Sequence, residues 1–229
     1  KPFGIKYIIN ARANSLNEEM AELLEYSGCR EVRIGFETGN ETLRNEILNK
    51  RISDEALENA LNLLHKHNIM GVAFMMMGVP GETWDTFFDT IKMTIKLEPR
   101  LIRMTFLNPY VHTRIYDNCV ARGLMKDQEI SDNRDMDSPL KFDNLTDEDL
   151  FMFRFLFPWF VNAEWFDTKE YLYAINEFSS LSITELQENL LEIRRKDKML
   201  SENCKHTHYR YYAGNDNYFE LYDNNKNPI

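Results

Sequence analysis

From Gly71 to Met77 the chain reads Gly-Val-Ala-Phe-Met-Met-Met, a run with almost no polar residue that is broken by Gly78-Val79-Pro80-Gly81. A strand apolar on both faces must be covered on both, which places it in the middle of a helix-clad parallel sheet or barrel. Its neighbours in sequence follow suit. Ile5 to Asn10, Glu31 to Phe36 and Leu101 to Leu107 are further strand-like runs, and amphipathic stretches separate them. The chain to about Leu124 is therefore expected to be consecutive βα units around a parallel sheet.

The helices announce themselves by their ends. Ser15-Leu16-Asn17-Glu18 has the form of a capping box, Leu16, Met20, Leu23 and Leu24 recur at helical spacing, and Gly28 stands where such a helix stops. A helix is expected around Glu41 to Leu48. Another opens at Ser53, with Leu57, Ala60, Leu61 and Leu64 as its buried stripe; a third carries Trp84, Phe87, Phe88, Ile91 and Ile95; a fourth follows Thr113. After Gly123 the character changes to acidic, irregular segments, an aromatic run from Phe151 to Phe166, a charged helix from Ser182 to about Met199 and a polar tail. Two parts are expected: residues 1–124, and a mainly helical C-terminal extension over residues 125–229.

A net charge of -10 with dispersed Lys and Arg argues against nucleic acid as the main partner. No apolar stretch is long enough to span a bilayer and no secretory leader is visible, so a soluble cytoplasmic protein is the expectation. Cys29, Cys119 and Cys204 are far apart and form no CxxC pair, and they read as buried or free thiols rather than metal ligands. The opening at Lys1, almost directly on a strand, is what a segment of something longer would show.

In parallel α/β architectures ligands gather at the carboxyl ends of the strands. The residues leaving each strand are Asn10, Ala11 and Arg12; Glu37, Thr38 and Gly39; Gly78 to Glu82; and Asn108, Pro109 and Tyr110. Arg12 suits a carboxylate or phosphate, although an isolated arginine is more often a surface ion pair. Glu37 can accept from a diol such as a ribose, or serve as a helix N-terminal carboxylate worth about 0.3–1 kcal/mol. Of the three methionines, side-chain alternation lets either Met76 or its neighbours face a barrel interior. His206 and His208, beside Cys204, form a His-x-His that reads as a tail feature.

The segments Ile34-Gly35-Phe36-Glu37-Thr38-Gly39-Asn40-Glu41, Asn49-Lys50, Gly78-Val79-Pro80-Gly81-Glu82-Thr83 and Asn108-Pro109-Tyr110, in this order, resemble the radical S-adenosylmethionine (SAM) enzymes. The resemblance is to the branch often fused to a cobalamin-binding domain, and it extends over residues 1 to about 116. It implies a partial TIM-type (β/α) barrel made of the last four or so βα units, followed by an α-helical appendage. By position, Asn10 and Arg12 would face the methionine moiety or the substrate, and Glu37, with Thr38 beside it, the ribose or amino-acid portion. Lys50 would meet the SAM carboxylate, Met76 the adenine face, and Leu107 and Asn108 the adenine edge through their backbone.

The resemblance also implies a 4Fe-4S cluster whose ligands lie outside this chain, because the family's CxxxCxxC loop is absent. For the parent it implies cleavage of SAM to a 5′-deoxyadenosyl radical or cobalamin-dependent methyl transfer, with a reductase or flavodoxin-type electron donor and an unidentified small-molecule or peptide substrate. The fragment alone is expected to be inactive. In place of the usual Pro-Tyr-Pro-Gly-Thr stands Pro109-Tyr110-Val111-His112-Thr113. Two other readings remain: a cluster-free remnant acting as a binding module, and a TIM-barrel hydrolase pairing the carboxylates of Glu37 and Glu82. A sheet edge left open beside Ile5 to Ile9 would favour edge pairing or dimerisation of the fragment.

Overall fold

The computed structural model describes residues 4–126, 138–166, 169–203, 210–215 and 218–222. They form two compact units, divided after Phe142. In the first unit, β1 (Tyr7–Ala11), β2 (Cys29–Glu37), β3 (Met70–Met77) and β4 (Leu101–Phe106) pair side by side in chain order, all parallel. Between them run α1 (Glu18–Ser27), α2 (Asp54–Lys66) and α3 (Trp84–Leu97), and α4 (Arg114–Ala121) follows β4. Parallel strands in sequential order are wound one way only, as in a (β/α) barrel, whereas a doubly wound sheet reverses its order at a switch point. The fold is the expected α/β partial barrel.

Several boundaries differ from expectation for local reasons. Asn17 caps α1, its side chain accepting from the Met20 amide. Ser15 instead sits in a single 3-10 turn and donates its hydroxyl proton to the Arg12 carbonyl, so the expected capping box does not form. The helix foreseen around Glu41 to Leu48 forms over residues 41–47, its last five, Leu43–Ile47, wound as a π-helix. The strand foreseen from Ile5 starts at Tyr7 and leaves Ile5 67% exposed. Ser53, Thr83 and Thr113 cap α2, α3 and α4, each accepting from the amide three residues on.

The first unit also runs past Leu124. Met125 bridges Leu140, and Leu140 is buried against Leu107 and Cys119 in a small apolar cluster. Residues 138–142 therefore belong to the first unit, and the compact boundary lies at Phe142.

The second unit holds α5 (Asp147–Phe166), α6 (Lys169–Phe178), α7 (Ile183–Glu188), α8 (Leu190–Asn203) and an antiparallel pair, β5 (Arg210–Asn215) and β6 (Tyr218–Tyr222). The aromatic run is the body of α5, where Phe151, Phe153, Phe157 and Trp159 are buried, and Trp159 meets Phe178 of α6 edge-on at 5.5 Å. The charged helix expected from Ser182 to Met199 is interrupted at Asn189, giving α7 and α8. Part of the expected polar tail is the β5–β6 pair. Cys204, His206 and His208 lie outside the described residues.

Candidate functional site

The two faces of the four-stranded sheet are unlike. Gly71 of β3 lies under Leu61 and Leu64 of α2, and Thr94 of α3 reaches the Met75 sulfur at 4.0 Å, so odd-numbered residues of β3 face the helices. Ala73, Met75 and Met77 are accordingly buried to 1% exposure or less. Phe74 and Met76 point to the opposite face, which answers the question left open by the three methionines. Gly35 pairs with Phe74 and Asn10 with Arg33, so this second face also carries Gly35, Arg33 and Asn10.

At its carboxyl edge lies an ion pair. Lys50 Nζ stands 2.5 Å from Glu37 Oε1, with Glu37 nearly buried (5% of its side chain exposed) and Lys50 one-third exposed. The carboxylate folds back over Gly35, where a Cβ would collide with Glu37 Oε1 and lie 3.7 Å from Lys50 Nζ. Glycine at 35 is thus required by the bulk of the pair above it. Glu37 adopts a left-handed backbone, φ 64°, at a point where β2 slips register against β3. The bulge turns its side chain across the strand end.

Lys50 is held by a shaped loop. Asn49 and Arg51 on either side both have φ 54°, and the Lys50 amide donates to the Arg44 carbonyl at 3.0 Å. Asn45 clamps the far side, its Oδ1 accepting from the Ile52 amide at 2.8 Å and its Nδ2 donating to the Ile52 carbonyl at 3.1 Å. Arg12 arrives from the end of β1, and its Nη2 donates to the Lys50 carbonyl. The structure thus brings together Arg12, Glu37 and Lys50, with Asn10 exposed on the same face. Arg12 and Lys50, 38 residues apart in sequence, converge because β1 and β2 end at one rim and the loop after β2 folds back over it.

Thr38 does not join them. It is fully buried, its Oγ1 is 3.4 Å from Thr90 Oγ1 and accepts from the Asn40 amide, and its carbonyl accepts from Arg44 Nη1 at 2.9 Å. Gly39 shows why: a Cβ there would overlap the Thr90 backbone, so this turn runs hard against α3. Thr38 and Gly39 dock the turn on the helix, leaving Glu37 alone at the rim.

Arg44 was not foreseen. Fully buried, it donates to Thr38 O, to Ile52 O at 2.9 Å and to Asp54, tying the β2 turn, the Lys50 loop and the start of α2 together. The available signal was an arginine amid Leu43, Ile47 and Leu48 on what reads as an apolar helix face. A cavity of about 320 Å³ nearby, bordered by Asn40, Asp54, Lys92 and Lys96, lies among α3 and this turn rather than at the strand ends.

On the other side of Lys50, Met76 is half-buried against the Leu107, Cys119 and Leu140 cluster, with Leu48 and Ile115. Leu107 donates its amide to the Met77 carbonyl at 2.8 Å, extending the ladder one residue, so a base edge has only the Leu107 carbonyl to address there. Asn108 follows directly. His112, exposed, has φ 66° in the loop leading to Thr113.

The Gly78 to Thr83 turn is closed by Glu82, whose Oε2 accepts from the Gly78 amide at 2.5 Å and the Val79 amide at 3.3 Å. Burial raises its pKa from 4.5 to about 7 against the opposing pull of those two amides. With its carboxylate spent on its own turn, Glu82 is a turn residue, and the hydrolase reading with paired carboxylates loses its second member. Among the described residues no cluster of three His, Cys, Asp or Glu side chains can hold a metal ion.

Residues 2–94, which hold β1 through most of α3 with Arg12, Glu37 and Lys50, match the radical SAM superfamily. This segment belongs to that superfamily. An uncharacterized methyltransferase of Pyrococcus horikoshii is 25% identical to the chain over 146 residues, covering 64% of the chain and 32% of the relative. Among solved structures, the radical SAM methyltransferase TsrM from Kitasatospora setae, with cobalamin and a 4Fe-4S cluster bound, aligns over 59% of the chain and 28% of its own, at 20% identity and TM-score 0.47. The cobalamin-dependent SAM radical enzyme OxsB aligns over 86% and 37%, at 10% identity and TM-score 0.47. The chain thus spans about a third of the length of the relatives it matches. No helix among the described residues is long and apolar enough to cross a membrane.

Proposed function

We propose that this chain is the SAM-gripping portion of a radical SAM enzyme from the cobalamin-using methyltransferase branch. The observation that carries the reading is the Glu37–Lys50 pair seated over Gly35 at the strand rim, with Arg12 holding the Lys50 carbonyl. The side chains fit the cofactor's parts. Lys50 offers an accessible ammonium to a carboxylate, Glu37 offers acceptor oxygens to a diol or an ammonium, and half-buried Met76 offers an apolar surface to a flat base. Asn10 lies on the same face for the methionine portion or the substrate, and Asn108, next to Leu107, for the base edge.

When bound, SAM supplies either a methyl group or, with an electron from a 4Fe-4S cluster, a 5′-deoxyadenosyl radical. The protein's part is to bind and orient. Lys50 fixes one end by charge, the left-handed residues flanking it hold the loop shape, and Arg44 holds the loop to the sheet. Cluster ligands are assigned to another part of the parent. Cys29 and Cys119 are buried, burial raises both thiol pKa values, and Cys29 donates to the Glu31 carbonyl. A reductase or flavodoxin-type donor and a cytoplasmic setting go with this assignment. By itself the chain binds SAM and does not turn it over.

Calorimetric titration of SAM into the chain tests the grip. Binding that E37Q and K50Q each weaken about tenfold or more is expected, since each removes a charge-assisted hydrogen bond. The parent, expressed anaerobically, is expected to yield 5′-deoxyadenosine or methylated product with SAM and reductant. Absence of SAM binding, or binding indifferent to K50Q, counts against the proposal.

A further inference from the structure

On the helix-covered side of the sheet, α3 is tied to its neighbours at two levels. Asn40, in the turn after β2, donates through Nδ2 to Asp89 Oδ2 at 2.9 Å, and Lys96 donates to Glu58 of α2 at 2.7 Å. Along α3 the two ties are seven residues apart, about 10 Å. Between them the walls do not meet, and the cavity of about 320 Å³ opens there, lined also by Glu41, Asp54, Lys92, Met93 and Leu97. Packed elements ordinarily interdigitate to the density of organic crystals. Here the ties fix a gap whose volume falls at the small end of ligand sites, roughly 300–1,000 Å³.

The lining of this gap is sorted by charge. On the wall formed by the β2 turn and the start of α2, Glu41 Oε2 accepts from the Asp54 amide at 2.9 Å, and Asp54 Oδ1 accepts from Arg44. Each carboxylate keeps a second oxygen, Glu41 Oε1 and Asp54 Oδ2, to which no group among the described residues donates. On the α3 wall Lys92 is 74% exposed, and its partner Asp89 stands 3.8 Å away, beyond hydrogen-bond distance. Met93 and Leu97 give the same wall its apolar surface, and both are buried. A simple cation would meet Lys92 as a like charge, and a simple anion would meet Glu41 and Asp54. A zwitterion with an apolar body matches all three.

We propose that this cavity binds a free amino acid with an apolar side chain. Its ammonium donates charge-assisted hydrogen bonds to Glu41 and Asp54, its carboxylate accepts from Lys92, and its side chain lies over Met93 and Leu97. None of these residues belongs to the rim assigned to SAM, so the site is separate from that grip and does not depend on it.

The test titrates L-leucine, L-leucinamide and N-acetyl-L-leucine separately into the full chain by calorimetry. The amide lacks the carboxylate and the acetyl compound lacks the ammonium. Saturable binding of leucine is expected, with each analogue weaker by about tenfold or more. K92Q is expected to weaken leucine about tenfold and leave leucinamide unchanged; E41Q is expected to weaken leucine similarly and leave N-acetyl-leucine unchanged. K50Q, at the rim, is expected to bind leucine as wild type does. Both cavity variants should keep the wild-type melting temperature, because Lys92 is exposed and glutamine at 41 retains an oxygen for the Asp54 amide. K92Q carries the test by itself should E41Q melt lower. No saturable binding of leucine, equal affinity for leucine and leucinamide, or leucine binding lost in K50Q and kept in K92Q overturns the proposal. Lys92-dependent leucine binding by a chain that does not bind SAM would sink the SAM reading and leave this site standing.

Discussion

Replacing Glu82 by glutamine isolates a buried ionisable group whose cost depends on pH in a calculable way. In the unfolded chain this carboxyl ionises at its ordinary 4.5; in the native protein, buried at 4% exposure beneath the Gly78 turn, it does so at about 7. Between those values the unfolded chain has released a proton that the native chain keeps. Native stability therefore falls as pH rises from 4.5 to 7, and stays lowered above it. One pKa unit corresponds to about 1.4 kcal/mol, so the displacement amounts to a penalty of about 3 kcal/mol on the ionised native state. A glutamine still offers an oxygen to the Gly78 and Val79 amides and carries no ionisable proton. Urea unfolding of wild type and E82Q at steps from pH 4.5 to 8, followed by tryptophan fluorescence, reads the difference directly, because the other titrating groups cancel between the two proteins. The stability of E82Q relative to wild type should climb by about 3 kcal/mol across that range. A flat difference, or one favouring wild type at high pH, would show that the two amide donors outweigh desolvation and refute the reasoning.

Arg44→Leu should destabilise the first unit by about 2–5 kcal/mol in chemical unfolding, since it leaves two buried carbonyls without their donor and takes the partner from the half-exposed Asp54 carboxylate; R44K should recover only part, lacking the planar fork. Gly39→Ala forces a methyl into the Thr90 backbone and should cost about 1–3 kcal/mol or more, seen as a lowered melting temperature, while Gly123→Ala meets no atom and pays only for its positive φ. His67 is held by Glu25 at 2.7 Å and Glu18 at 3.0 Å, which together raise its pKa. The stabilisation is complete below the ordinary 6.5 and lost as pH rises through the raised native value, so H67Q should flatten the pH dependence of stability around and above 6.5. A variant keeping the wild-type slope would remove His67 as its source.

The sequence exposed the sheet because period and burial coincide. The run from Gly71 to Met77 has no polar residue to blur its character, and Ser53, Thr83 and Thr113 each act as the cap their position suggests. Ser15 misled because Asn17, two residues on, competes for the same role and is the one whose side chain reaches an N3 amide. At the site, Glu37 and Lys50 were legible through motif order, but that they contact each other was not, since the contact depends on a bulge in β2 and on two left-handed residues beside Lys50. Thr38 looked like part of the grip because it adjoins Glu37; only the approach of the turn to α3 shows it facing the other way. Arg44 was silent for a different reason. A buried charge is recognised by its partners, and these come from residues 38, 52 and 54, which no periodicity links.

The loop that presents Lys50 is fastened at residues 45 and 52 by a side-chain amide, at 44 and 50 by a backbone bond, and at the Lys50 carbonyl by Arg12. Much of the freedom that such a connection ordinarily surrenders when a ligand arrives has been given up during folding. Capture at this rim should then behave as docking onto a finished surface, with an association rate set by diffusion and the shedding of water and insensitive to solvent viscosity beyond the diffusive share.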